Sequence, residues 1–175
     1  DTDVFGVGSD APDAWQMPVA LGSFLPPDDP GNTRPFAVLG SKLRRELFGE
    51  DNPLGQFIRI GGARFRVIGV MESKGDFLGM DLDEIAYIPA DRALQLFNRV
   101  NLQEMDIVFT EQSTSTEMAE RIKKRFREIH GDDDITLFTQ DDMLASLDRI
   151  LGLLTVAVSA LGSISLLVGG VGVLT

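Results

Sequence analysis

Carboxylates are the chain's most abundant reactive groups, and two clusters have spacings that could do chemistry. Asp132, Asp133 and Asp134 are consecutive, and Asp81, Asp83 and Glu84 lie within four positions. Both could offer oxygen ligands to Ca²⁺, yet neither has the alternating ligands and terminal Glu of an EF-hand loop. The expected role for both is therefore solvated turn chemistry. A carboxylate pair working as acid and base in a membrane-tethered hydrolase is the catalytic alternative, with Asp81 and Asp83 as its test positions. The one histidine, His130, stands before Gly131 at the end of a predicted helix, where a cationic side chain suits the helix dipole. No nucleophile-elbow serine accompanies it. There is no cysteine, which removes thiol catalysis, disulfides and thiolate metal sites together.

Gly169, Gly170 and Gly172 are dense enough to suggest a phosphate cradle, but they follow no strand and lie in an apolar run. No G-x-x-x-x-G-K-[ST] occurs, so nucleotide binding by a P-loop is excluded for this stretch. Catalytic, cofactor and metal residues are all expected to be absent.

The element behind those glycines organises the sequence. Ile150–Thr175 carries no Asp, Glu, Lys, Arg or His, and every charged side chain precedes it. Crossing a hydrocarbon core takes about 20 apolar residues, so this run is predicted to span a membrane. Gly162, Ser165, Gly169 and Gly172 recur at spacings of three and four, on one helical face. Small residues on one face let a second helix approach closely in lipid. The run breaks off at Thr175 without a charged flank, and the chain opens Asp1-Thr2-Asp3 without a Met. Both are expected of a piece of a longer protein.

The segment before the span is predicted to be a folded head. With 16 basic and 27 acidic residues in 175, the formal charge is −11. That argues against nucleic acid, which demands a basic surface. Residues 1–35 read as Asp-, Gly- and Pro-rich loop, with Pro26–Asn32 the strongest turn signal and Trp15 and Phe24 docking on what lies behind. Phe36–Leu39 reads as a buried strand. A helix follows over Lys42–Phe48, with Ser41 as its cap, Leu43 and Leu47 on one face and Gly49 as its stop. Gln56–Ile60 and Ala63–Met71, joined by Gly61-Gly62, read as a β-hairpin. Ser73–Asp83 is loop-like, Ile85–Ile88 a strand, and Asp91–Phe97 a helix opened by Pro89.

Met105–Phe109 and Ile135–Phe138 are further strand candidates, on either side of a helix over Thr114–Ile129. Thr114 and Glu117 have capping-box spacing there. Met118, Ile122, Phe126 and Ile129 form its apolar stripe, and Arg121, Lys123, Lys124, Arg125 and Arg127 form a solvated face or an acidic partner's dock. Thr139 caps a last helix with Asp141 and Asp142 in its first turn. Met143, Leu144, Leu147 and Ile150 carry the apolar stripe on without a breaker, predicting a stalk that runs straight into the span.

Taken in order, FAVLG at 36–40, ELFG at 46–49, NPLGQ at 52–56, IRIGG at 58–62, FRVIGV at 65–70, Lys74-Gly75, YIP at 87–89 and the apolar run from Ile150 form a set. This set resembles the extracytoplasmic core domain of MacB/FtsX-type ABC transporter permeases, running into their second transmembrane helix. The resemblance implies an α+β head. A porter-like strand–helix–strand subdomain (1–52 and 99–140) would be interrupted by a strand-rich insertion (53–98), with stalk and span at 141–175. It also implies an ABC ATPase, fused or separate, a second permease copy in a dimer, and a periplasmic adaptor or substrate protein as partners. Residues 1 to about 149 would lie outside the bacterial inner membrane. The function implied is mechanotransmission, in which ATP-driven motion of the helices moves substrate outside that membrane. A single-span or tail-anchored binding domain is the rival reading.

Overall fold

The structure is a computed structural model describing residues 2–29, 31–77, 80–110, 113–131 and 135–173, with only the backbone of 170–173. It divides into two units, Asp1–Val108 and Phe109–Thr175.

The first unit is built on one mixed sheet. Its strands are β1 (Val4–Val7), β2 (Val19–Gly22), β3 (Phe36–Leu39), β4 (Phe57–Ile60), β5 (Ala63–Met71) and β8 (Ala86–Pro89), in the order β1-β8-β3-β5-β2, with β4 also on β5. A second, two-stranded piece pairs β6 (Asp76–Phe77) with β7 (Met80–Asp81). β1 runs parallel to β8 and β3 parallel to β5, while β3–β8, β2–β5 and β4–β5 are antiparallel. Strands from 1–52 and from 53–98 thus share one hydrogen-bonded sheet.

Both faces of the central strands are covered, which explains why they read as unbroken apolar runs. On one face Ala37, Leu39, Phe65, Val67, Ala86 and Ile88 pack with Leu43 of α2 (Ser41–Phe48) and with Ala93 and Leu96 of α3 (Ala90–Leu96). On the other, Val38, Met71, Ile85 and Tyr87 meet α1 (Ala11–Ala14) and the chain around it, through Met17, Leu25, Trp15 and Phe24. Burying each large apolar side chain contributes roughly 1.5–3 kcal/mol. The expected docking of Trp15 and Phe24 is therefore found. The Trp15 indole N–H also donates to Asp106 at 2.6 Å.

The predicted hairpin is present in its expected register, with Ile60 opposite Ala63 and Gly61-Gly62 at φ 55° and 85°. Two consecutive positive φ values define the turn that matches strand twist, and only glycine takes them without strain.

Several expectations need correction. The opening 35 residues contain β1, α1 and β2, whose Gly-bearing strands are obscured in the sequence by the surrounding Asp, Gly and Pro. Ser41 is the first helical residue of α2 and Gly40 its cap, with no side-chain capping bond. A Cβ at residue 40 would strike the Asp83 carbonyl oxygen, so close approach of two backbones decides that position. Pro89 ends β8 and caps α3, which starts at Ala90. Met105–Phe109 and Ile135–Phe138 are not strands. A strand exists through its neighbour's hydrogen bonds, and neither has a ladder partner among the described residues. Val108 and Phe138 are accordingly 69% and 74% exposed.

One buried carboxylate closes the first unit. Asp83, in the 3-10 turn Leu82–Glu84, is 7% exposed. It accepts from the Ser73 hydroxyl at 2.5 Å, from Lys74 N at 2.8 Å and from Gly75 N at 3.2 Å. Its own N–H donates to Asp81, and Lys74 Nζ reaches the Trp15 and Gln16 carbonyls at 2.9 and 2.8 Å. The clasp thus ties α1's end to the Ser73–Gly75 loop. Burial pushes the Asp83 carboxyl up, but the Ser73, Lys74 and Gly75 hydrogen bonds together outweigh it and hold it below the usual aspartate range. Ser41 Oγ adds a smaller pull from nearby, short of a formed hydrogen bond.

A depressed folded value means the carboxylate stabilises the head above the unfolded pKa of about 4, and this is lost as pH falls through the folded value. Asp83→Asn should cost about 1–3 kcal/mol at pH 7, because an amide cannot accept all three donors. The gap from wild type should close below about pH 4; urea titrations followed by circular dichroism across pH 2.5–7 would read both. Tyr87 predicts the opposite sign. Its hydroxyl is buried without a hydrogen-bond partner among the described residues, and burial, then the Asp83 charge, push it up to about 12. Tyr87→Phe should leave stability unchanged or raise it by up to about 1 kcal/mol; a loss in the same titration would contradict this account.

Candidate functional site

The second unit places the predicted stalk and span on a single element. α4 (Ser115–His130) forms as its sequence predicts. Thr114 Oγ1 accepts from Glu117 N, the Glu117 carboxylate accepts from Thr114 N, and Gly131 at φ 82° closes the far end. His130 stacks on Phe126, 5.6 Å between ring centroids. Arg125 pairs with Glu128 at 3.2 Å across a turn. Met118, Ile122 and Phe126 are half-buried, while Ile129 is exposed.

α5 then runs from Gln140 to Val173 without interruption, 34 residues. At 1.5 Å per residue that is about 51 Å, longer than the roughly 30 Å hydrocarbon core. Thr139 starts it with reciprocal bonds: its Oγ1 accepts from Asp142 N at 3.1 Å, and the Asp142 carboxylate accepts from Thr139 N at 3.3 Å. The Ser115 hydroxyl donates to Asp141, tying the first turns of α4 and α5 together. The two acidic residues of the first turn of α5 are thus a cap and a tether.

Met143, Leu144, Leu147 and Ile150 lie on α5 and are 54–61% exposed. Among the described residues, Gln140–Gly169 is the one stretch long and apolar enough to cross a membrane, and none of its most apolar window is buried. Gly162, Ser165 and Gly169 lie on this helix, with open space beside Gly162 and Gly169. Gly172 is helical too, but its surroundings fall outside the described residues. Within the apolar run, Thr155 and Ser163 donate to the carbonyls four residues back, at 2.9 and 2.8 Å. Hydroxyls satisfied inside the helix are compatible with lipid.

The acidic cluster at 81–84 turns inward on its own fold. Asp83 is the clasp described above, and Asp81 and Glu84 both bind Lys42 Nζ, at 3.0 and 2.9 Å. The Glu84 and Asp81 carboxylates raise the Lys42 pKa, outweighing its desolvation. No group of three His, Cys, Asp or Glu side chains suited to a metal occurs among the described residues. Asp132, Asp133 and Asp134 lie outside them. Sequence reasoning missed Lys42, Ser73 and Lys74 as partners of this cluster, since nothing local to 41–42 or 73–75 signals a bond to residues 81–84.

Comparison with known proteins matches this architecture. The model of the MacB-like periplasmic core domain covers residues 1–125. The macrolide export ATP-binding/permease protein MacB of Marinobacter nauticus is 30% identical over 165 residues, 93% of this chain and 26% of its own length. The pyoverdine export ATP-binding/permease protein PvdT of Pseudomonas aeruginosa is 34% identical over 175 residues, 98% of this chain and 26% of its own length. The chain therefore spans about a quarter of the curated relatives it matches. Among solved structures, the periplasmic region of MacB from Actinobacillus actinomycetemcomitans superposes with a TM-score of 0.64 at 20% identity, covering 83% of this chain and 64% of that one. The extracellular domain of the ABC-type transporter YknZ from Gram-positive bacteria gives 0.52 at 21%, covering 73% and 64%. With strand order, hairpin and terminal apolar helix in place, and a family model matched over most of its length, this chain belongs to the MacB-like periplasmic core domain family.

Proposed function

We propose that the chain is the extracytoplasmic head, stalk and part of a span of an ABC exporter permease, and that it carries ATP-driven motion of the membrane helices to the head. The single observation behind this reading is α5, which is capped at Thr139 and unbroken through the apolar run. A continuous helix acts as a semi-rigid spacer, whereas a flexible joint would absorb the displacement. The family and the relatives' names as export proteins support the transport setting.

Catalysis belongs to parts outside this stretch. ATP would be bound by an ABC ATPase, fused or separate, and the head would perform no reaction of its own. Its further partners would be a second permease copy and an adaptor or substrate protein outside the inner membrane, with residues 1 to about 149 on that side. Gly162, Ser165, Gly169 and Gly172 would form the packing face toward a neighbouring span. The division at 1–52, 53–98, 99–140 and 141–175 belongs to this proposal as well. The relatives' names give different cargo, macrolide for one and pyoverdine for the other.

Inserting three glycines after Arg149 in the full-length protein tests the lever. Export should fall at least about tenfold while ATP hydrolysis changes less than about twofold, because the joint uncouples motion without touching the ATPase. Unchanged export would reject the lever and favour a tethered binding domain.

A further inference from the structure

The β4–β5 hairpin presents a face that the fold itself does not require. Phe57 and Arg59 of β4 and Arg64 and Arg66 of β5 are all exposed. They share one side of the hairpin, because Ile58, Ile60, Phe65 and Val67 fill the other and join the core. Arg59 stands directly across from Arg64, and Phe57 across from Arg66. Like charges in direct cross-strand register are destabilising, so this arrangement costs the head stability. No carboxylate offsets it: Arg59, Arg64 and Arg66 make no ion pair among the described residues, in a chain of formal charge −11. The Arg64 guanidinium sits 4.3 Å over the Phe57 ring, and Phe57 is 54% exposed.

β4 is also a free edge. Val67 N donates to Gln56 O, which sets the phase of the ladder, so 56, 58 and 60 face β5. The N–H and C=O groups of Phe57 and Arg59 therefore point away from β5, and no partner meets them among the described residues. Charged edge residues can serve merely to block aggregation. That explains Arg59 at most, since Arg64 and Arg66 stand on β5, an interior strand. On the core side of β4 lies an open groove of about 470 Å³, lined by Val4, Leu43, Leu47, Phe48 and Ile58 among others.

We propose that β4 is a docking edge for an extended segment of a partner protein in which acidic and apolar residues alternate. Added as a strand, such a segment pairs its backbone with Phe57 and Arg59. Because alternate side chains point to opposite faces, its carboxylates meet Arg59, Arg64 and Arg66 while its apolar residues enter the groove beside Leu47 and Ile58. Carboxylate–guanidinium pairing is charge-assisted and bidentate, which supplies register as well as affinity. The surface needs no transport activity to work, so its test is separate from that of the lever.

The probe is a fluorescein-labelled peptide of alternating Glu and Val, titrated by anisotropy against the whole chain in neutral detergent. It should bind, weaken at least about tenfold when Arg59, Arg64 and Arg66 are all changed to Gln, and weaken in high salt. N-methylating every backbone amide of the peptide should abolish binding, since a methylated amide cannot donate to the edge. Circular dichroism checks that the Gln variant is folded, and the peptide series on wild type reads the edge independently of it. The proposal is overturned if the N-methylated peptide or a Ser-Val peptide binds equally well, or if the Gln variant retains full affinity. It is equally overturned if the face takes up short-chain phosphatidylglycerol and ignores the peptide, or if the Gln variant instead abolishes a dimer of this chain.

Discussion

β5 is the constraint from which the first unit follows. Its nine residues hydrogen-bond to β3 along one edge and to β4 and then β2 along the other. A strand engaged on both edges, with Phe65, Val67, Val70 and Met71 buried, leaves no slack in register. A slip of one residue would exchange its core and solvent faces. The two apolar layers are assembled on opposite sides of this strand and its neighbours. Helices α2 and α3 settle over one layer and the α1 segment over the other, each where the alternation of β3, β5 and β8 leaves apolar surface uncovered. The Asp83 clasp then fixes the loop through which β5 continues toward β6. Buried charge is tolerated there because main-chain donors arrive from a tight turn.

α5 obeys a different constraint. In hydrocarbon no water is available to the backbone, so every amide in a spanning segment must be satisfied within it. A 34-residue helix meets that condition and also starts inside the second unit, where capping by Thr139 and the Ser115–Asp141 bond anchor its first turn. On the reading proposed above, physical continuity between a capped, charged beginning and an uncharged end would distinguish a lever from a tether. The exposure of Met143, Leu144 and Leu147 belongs to the same logic, since a stalk with an apolar stripe presents a surface suited to other helices.

The sequence made local features legible and hid those made at a distance. The capping box of α4, the Gly61-Gly62 hairpin, the FAVL strand and the terminal helix each have signals within a few residues, and each is found. The family, too, was visible in an ordered set of short motifs. β1 and β2 were hidden because VFGV and VALG each carry a Gly and sit in an Asp-, Gly- and Pro-rich stretch, unlike the equally short FAVL of β3. The Asp81–Glu84 cluster was legible as reactive chemistry, but its partners Lys42, Ser73 and Lys74 sit nine to forty-two positions away, and only folding brings them together. The strand propensities of 105–109 and 135–138 are real, yet propensity is a preference for a half-buried pleated surface rather than a guarantee of one.

The chain has one tryptophan, and its indole is hydrogen-bonded to Asp106 across ninety-one positions. That contact makes Trp15 a natural optical gauge. An indole beside a carboxylate and against an apolar layer emits differently from one in water, so its emission reports whether the connector behind α3 is seated on the sheet. No dye or engineered label is required, and the same signal can be followed with the purified chain in detergent or in lipid.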